Sequence, residues 1–286
     1  MPTVEIDGIA TRYEVQGKGP PLLMFAPAGY NASLEKWDTQ GVYARTRMMQ
    51  ALRQNFTCIV FDRRECGESG GRIERISWRH FVNQAAGLLD HLGVDRAHTM
   101  GGCIGCPQVA AMGVMKPERV KSMVLYWPVG GARFRIGNFY RFGAHIAFLD
   151  DVGFEGVVEY VASKGDTFGN DPKGGPWALM LKHDKDFAAA FVRQDKQRYK
   201  QIVLGTCRIL YDRDTAPGAE PEDLMQLDIP ALIVPGKDNS HATSAARYLE
   251  ECIAGSEYWD VLPADQTEAN VPARLVEFLQ KAEKGA

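Results

Sequence analysis

Six cysteines and six histidines hold most of the nucleophilic and acid–base chemistry in this 286-residue chain, and one cysteine stands apart from the rest. The stretch Arg96-Ala97-His98-Thr99-Met100 reads as a short strand. It runs directly into Gly101-Gly102-Cys103-Ile104-Gly105, after which a helix begins. Small residues two before and two after a nucleophile are what a strained strand–turn–helix requires, because side chains there would collide with neighbouring backbone. Such a turn pushes its central side chain out at the sheet edge. It also sets that side chain at a helix N-terminus, where backbone N–H groups favour a thiolate and can cradle a developing oxyanion.

Cys106 makes the same stretch a Cys-x-x-Cys, which in a thioredoxin-like setting would be a redox pair. That fold is far smaller than this chain and carries its motif near the start of the domain, so Cys106 reads as a buried helix residue. No second Cys/His cluster accompanies the pair, and neither a zinc site nor any other metal or cofactor is expected. Cys58, Cys207 and Cys252 lie in apolar or helix-like segments and read as small buried hydrophobes.

The surrounding elements alternate. Expected strands are Thr3–Ile6, Ala10–Val15, Pro21–Ala26, Thr57–Phe61, Arg96–Met100, Val120–Tyr126, Ile229–Val234 and Glu257–Leu262. Expected helices are Trp37–Leu52, His80–Leu92, Ile104–Val114, Thr243–Ile253 and Pro272–Lys281. This rhythm predicts an α/β protein with a mostly parallel sheet covered on both faces. From residue 131 to 227 it lapses into aromatic, helix-like segments broken around Gly165, Asn170–Pro176 and Ala216–Pro221. The expected organisation is therefore a core from 1–130 and 228–286 with a helical cap, or lid, from 131–227. In open parallel sheets ligands bind at the carboxyl ends of the strands, where such an insertion would roof the site.

Composition narrows the partners. A net charge of -3 without runs of like charge gives no electrostatic reason for nucleic acid or an anionic membrane as partner. No apolar stretch approaches the ~18 residues of a membrane span. The start MPTVEIDGIATRYEV alternates like a strand instead of resembling a signal peptide, so a cytoplasmic location with reduced cysteines is expected. The expected partner is a small-molecule substrate, with a homodimer as an open alternative.

Taken together the motifs resemble the α/β-hydrolase fold superfamily. The turn at Cys103 is similar to its nucleophile elbow, with Cys where Ser is usual, a substitution of the kind dienelactone hydrolases carry. Phe61-Asp62-Arg63-Arg64-Glu65-Cys66-Gly67-Glu68-Ser69 resembles the family's Asp-x-Arg-Gly-x-Gly-x-Ser loop, a turn-organising segment, with Glu65 at the first Gly position. Phe25-Ala26-Pro27-Ala28-Gly29-Tyr30 resembles its His-Gly-x loop. The resemblance implies an oxyanion hole from the N–H groups of Tyr30 and Ile104, with Gly29 the alternative if the register slips by one. Ile229–Asp238 resembles the segment that ends in the triad acid, which puts Asp238 in that role.

The resemblance then breaks. The loop Val261–Asn270, where the family's histidine belongs, contains none, and His241 is the last histidine in the chain. His241 lies three residues past Asp238 and is the expected displaced base, with Asp238 orienting its imidazole. A packing or substrate-binding role for His241 is the alternative, and Glu268 is a weaker candidate. At the start of the insertion Arg133, Arg135, Tyr140 and His145 are candidate substrate contacts, and Arg133, Arg135 and Arg141 among Phe134, Phe139, Tyr140 and Phe142 would suit an aromatic or apolar body bearing a carboxylate. A solvated basic face is the competing reading. The expected activity is hydrolysis of a small carboxylic ester, lactone or thioester through Cys103. Non-hydrolytic or carbon–carbon cleavage chemistry on the same fold, and a non-catalytic binding protein, are the alternatives.

Overall fold

A computed structural model describes residues 1–164 and 166–285, so the predicted break at Gly165 lies outside the described residues. Eight strands form one sheet: β1 Thr3–Ile6, β2 Ile9–Gly17, β3 Pro21–Phe25, β4 Thr57–Phe61, β5 Ala97–Gly102, β6 Val120–Tyr126, β7 Ala231–Val234 and β8 Glu257–Tyr258. Their spatial order is β1-β2-β4-β3-β5-β6-β7-β8. The β1–β2 and β2–β4 pairings are antiparallel, and every pairing from β4 to β8 is parallel.

The central strands read as unbroken apolar runs because both of their faces are covered. Alternate residues feed two cores. Leu23, Phe25, Ile59 and Phe61 join one with Phe81, Leu88 and Val109. Leu22, Met24, Cys58 and Val60 join the other with Trp37, Leu52, Val271 and Phe278. The helix Gly105–Met115 that follows β5 has buried residues on all sides of its first nine positions, which fixes the elbow above it rigidly.

Two expectations need correction. The segment expected as one helix over Trp37–Leu52 is three, Lys36–Thr39, Gly41–Thr46 and Met48–Asn55. Gln40 is extended and Arg47 has a φ of 48°, so neither can continue an α-helix. The last strand was expected to reach Leu262 but pairs with β7 only over Glu257–Tyr258.

Between β6 and β7 the chain is helical. It contains Ala132–Lys164, interrupted at Gly153, then Ala178–His183, Lys185–Val192, Lys196–Leu210 and Pro221–Leu224. Phe142, Trp177 and Tyr199 of this insertion join the first core, so it is packed onto the sheet domain. No helix among the described residues is long and apolar enough to cross a membrane.

Candidate active site

The glycines around Cys103 are required by space. A Cβ on Gly101 would collide with the Gly105 backbone, and a Cβ on Gly105 with the carbonyl of Phe25. On Gly102 it would come within 2.7 Å of the Tyr43 ring. Cys103 has a φ of 54°, a left-handed backbone that costs on the order of 1–3 kcal/mol at a non-glycine residue. The turn is held by its N–H, which donates to Tyr126 O at 3.2 Å, and by its carbonyl, which accepts from Cys106 N at 3.1 Å. The thiol is therefore lifted out of the sheet edge by backbone that cannot relax.

His241 comes from the loop after β7. Asp238 Oδ1 accepts the N–H groups of Ser240 and His241 at 2.8 and 2.9 Å, folding the loop back on itself. His241 Nδ1–H lies 2.9 Å from each Asp238 carboxylate oxygen, which fixes the ring. Gly130, just past β6, donates to Ser240 O at 3.0 Å and forms a bridge with His241. His241 Nε2 is buried with no hydrogen-bond partner among the described residues. His241 and Cys103 line the same cavity, and each shifts the other's titration.

Electrostatics follow from that pairing. Burial alone would raise the Cys103 thiol, but the His241 charge and hydrogen bond, with the N–H groups of Ala28 and Ile104, bring it below the ordinary thiol value. Burial would likewise discharge His241. The Cys103 thiolate and the Asp238 carboxylate overcome this and raise His241 to about 10. Asp238, bonded to His241, is lowered to about 2. Each of the three groups is therefore shifted toward its charged form.

The N–H groups of Ala28 and Ile104 both act to lower the Cys103 thiol. Ala28 has φ 85° and ψ 28°, so the chain reverses there, just before the short turn that carries Tyr30. Tyr30 lies in the short turn Gly29–Asn31, and its hydroxyl accepts from Tyr211 at 2.9 Å. Gly29 and Tyr30 both line the cavity beside Cys103.

A cavity of about 440 Å³ opens over Cys103 and His241, walled by Ala28, Gly29 and Ile104 below and by the insertion above. Arg133 is part of that wall, but the other lid candidates are not. Arg135 pairs with Asp214 at 2.6 Å outside the cavity. Tyr140 is 76% exposed and points to solvent. His145 is buried between Lys173 O at 2.9 Å and Tyr199 Oη at 2.7 Å, and burial lowers it to about 4. It is a neutral packing residue of the insertion. The wall also holds Asn138, Arg141 and Tyr211. Asn138 and Tyr211 were not foreseen, since neither belongs to a motif. A larger groove of about 870 Å³ lies elsewhere, along Arg96, Glu118 and Lys121, and contains no nucleophile.

The remaining candidates are occupied. Cys106 Sγ–H donates to Gly101 O and Tyr126 O at 3.1 and 3.3 Å, and burial holds its thiol well above the ordinary value. In the loop where a histidine is absent, Gln266 is buried and accepts from Tyr126 Oη and Trp127 Nε1, both at 2.7 Å. Glu268 pairs with Arg47 at the surface. Neither side chain lines the cavity.

A family model described as alpha/beta hydrolase fold matches residues 21–135. The chain is 27% identical over 126 residues to the dihydrolipoyllysine-residue acetyltransferase component of the acetoin cleaving system of Cupriavidus necator, which is 44% of this chain and 31% of that one. It thus spans about a third of that relative's length. It is 24% identical over 239 residues to a non-heme haloperoxidase of Rhodococcus erythropolis, covering 82% of this chain and 80% of the relative. Among solved structures, the enol-lactonase of Burkholderia xenovorans LB400 superposes with a TM-score of 0.62 at 18% identity, covering 98% of this chain and 100% of that one. The topology and these likenesses define the class: the chain has the α/β-hydrolase fold.

Proposed function

We propose that the chain is a hydrolase of small carboxylic esters, lactones or thioesters, with Cys103 as nucleophile, His241 as acid–base and Asp238 as the group that orients it. One observation carries this reading: His241 is bonded through Nδ1 to Asp238, and its buried, unpartnered Nε2 belongs to a residue that lines the same cavity as Cys103. Residues 131–227 serve as the cap over a core built from 1–130 and 228–286.

The thiolate attacks the substrate carbonyl, forming a C–S bond and moving the carbonyl π electrons onto oxygen. The N–H groups of Ala28 and Ile104 receive that oxyanion. As the C–O or C–S bond to the leaving group breaks, imidazolium Nε2–H protonates it, leaving a thioester on Cys103 and a neutral His241. His241 then takes a proton from water while the hydroxide adds to the thioester carbonyl. Collapse expels the thiolate and restores the ion pair. Asp238 keeps the imidazole in one orientation and stabilises its charge throughout. Likeness to an enol-lactonase agrees with this substrate class.

The test is mass spectrometry after mixing with 4-nitrophenyl acetate. An acetyl adduct on Cys103, and loss of turnover in Cys103→Ala, are expected. An adduct on Cys66 or Cys106, or substantial activity in Cys103→Ala, would overturn the assignment.

A further inference from the structure

We infer that the substrate carries a carboxylate, held by Arg133 and Arg141 over the nucleophile. The inference rests on the cysteine-hydrolase reading and names the substrate class within it. Arg133, Gly137 and Arg141 are spaced i, i+4 and i+8 on helix Ala132–Lys164, so they share one face, and all three line the cavity.

Neither arginine is neutralised. Arg133 Nη1 donates to Asn239 Oδ1 at 2.8 Å. Arg141 donates to Asn138 Oδ1 at 2.9 Å and to Gly169 O at 3.1 Å. These acceptors are uncharged, and neither guanidinium has an ion pair among the described residues. Arg135 on the same helix is paired with Asp214, as an ordinary surface arginine would be. No Asp or Glu lines the cavity among the described residues. Asp238 is bonded to His241 and is not part of the lining, so the two arginines are the cavity wall's permanent charges.

The space between them is shaped for a ligand. Eight residues of helix rise about 12 Å, so the two arginines stand at the two ends of that span, Arg133 exposed and Arg141 half-buried. Gly137 sits midway, and a Cβ there would meet nothing within 4 Å. Guanidiniums present planar forks that match a carboxylate. Phe134, Ile104 and Tyr211 supply the apolar wall for the rest of the molecule.

The test compares kcat/KM for the 4-nitrophenyl half-ester of adipic acid with that for 4-nitrophenyl hexanoate, a neutral ester of matched length. The wild type is expected to prefer the half-ester by about tenfold or more. The double variant Arg133→Gln/Arg141→Gln should lose that preference, and Arg135→Gln, which removes a nearby charge outside the cavity, should keep it. Equal rates in the wild type, or a preference that survives the double variant, would overturn the inference. Calorimetry with the unreactive adipic acid mono-anilide and with hexananilide separates this from the chemistry. If neither ester is turned over and Cys103 is not acylated, the nucleophile reading has failed. Tighter binding of the mono-anilide, lost in the double variant, still upholds the anion site, and equal binding of the two anilides overturns it.

Discussion

At Cys103 two effects of opposite sign meet. Burial penalises the thiolate, while the imidazolium of His241 and two backbone N–H groups favour it, and the balance falls on the thiolate side. Removing His241 deletes the largest favourable contribution and leaves burial acting. The pH midpoint for alkylation of Cys103 by iodoacetamide is therefore expected to lie below that of an ordinary thiol in the wild type and to move upward in His241→Gln. Ester kcat/KM should fall by ~10²-fold or more, because that variant also loses the proton carrier of both half-reactions. In the wild type the reactive pair persists from the lowered thiol value up to about 10, where His241 loses its proton. Activity should decline above that point. A midpoint that does not move in His241→Gln would mean that the histidine does not charge-pair with the sulfur.

At the scale of elements, the elbow and the helix above the cavity use glycine for opposite reasons. Gly105 has no room, since an added methyl would strike the Phe25 carbonyl, which is locked in β3. Gly105→Ala is expected to destabilise the fold by on the order of 3 kcal/mol, read from the denaturant midpoint. Gly137 has room, and Gly137→Ala should stabilise by about 0.5–1 kcal/mol by restricting the unfolded chain and improving helix propensity. If both variants shifted the midpoint alike, the packing argument would fail. The same contrast explains what was legible in the sequence. The elbow could be read because its glycine spacing records a steric requirement, and the sheet because buried strands need unbroken apolar runs. The reversal at Ala28 could not, since a left-handed alanine leaves no mark in residue type. Tyr140 and His145 failed as cavity residues because helix rotation, set by tertiary packing, turns one to solvent and the other into the insertion's own core.

At the scale of the molecule, the insertion and the sheet domain are joined through both packing and backbone. Phe142, Trp177, Tyr199 and Tyr211 share one apolar cluster with Phe25, Phe61 and Phe81. Polar bonds cross the same boundary: Ile76 N to Thr206 Oγ1 at 3.0 Å, Trp78 Nε1 to Ile209 O at 3.2 Å, and Trp177 Nε1 to Arg72 O at 2.9 Å. Gly130 bonds the His241 loop at the point where the chain enters the insertion, so the position of the base depends on how that entry is seated. Domains that merely touch through a small polar interface unfold separately, whereas a shared core couples them. Thermal unfolding is therefore expected to give one transition, with tryptophan fluorescence, which samples Trp177 in the insertion, coincident with far-ultraviolet dichroism of the whole chain. Thr206→Val, which leaves the Ile76 N–H buried without its acceptor, should lower that single midpoint by the equivalent of about 1–3 kcal/mol without splitting it. An earlier fluorescence transition, or a split in the variant, would show that the insertion is a separately stable unit and that His241 is positioned without it.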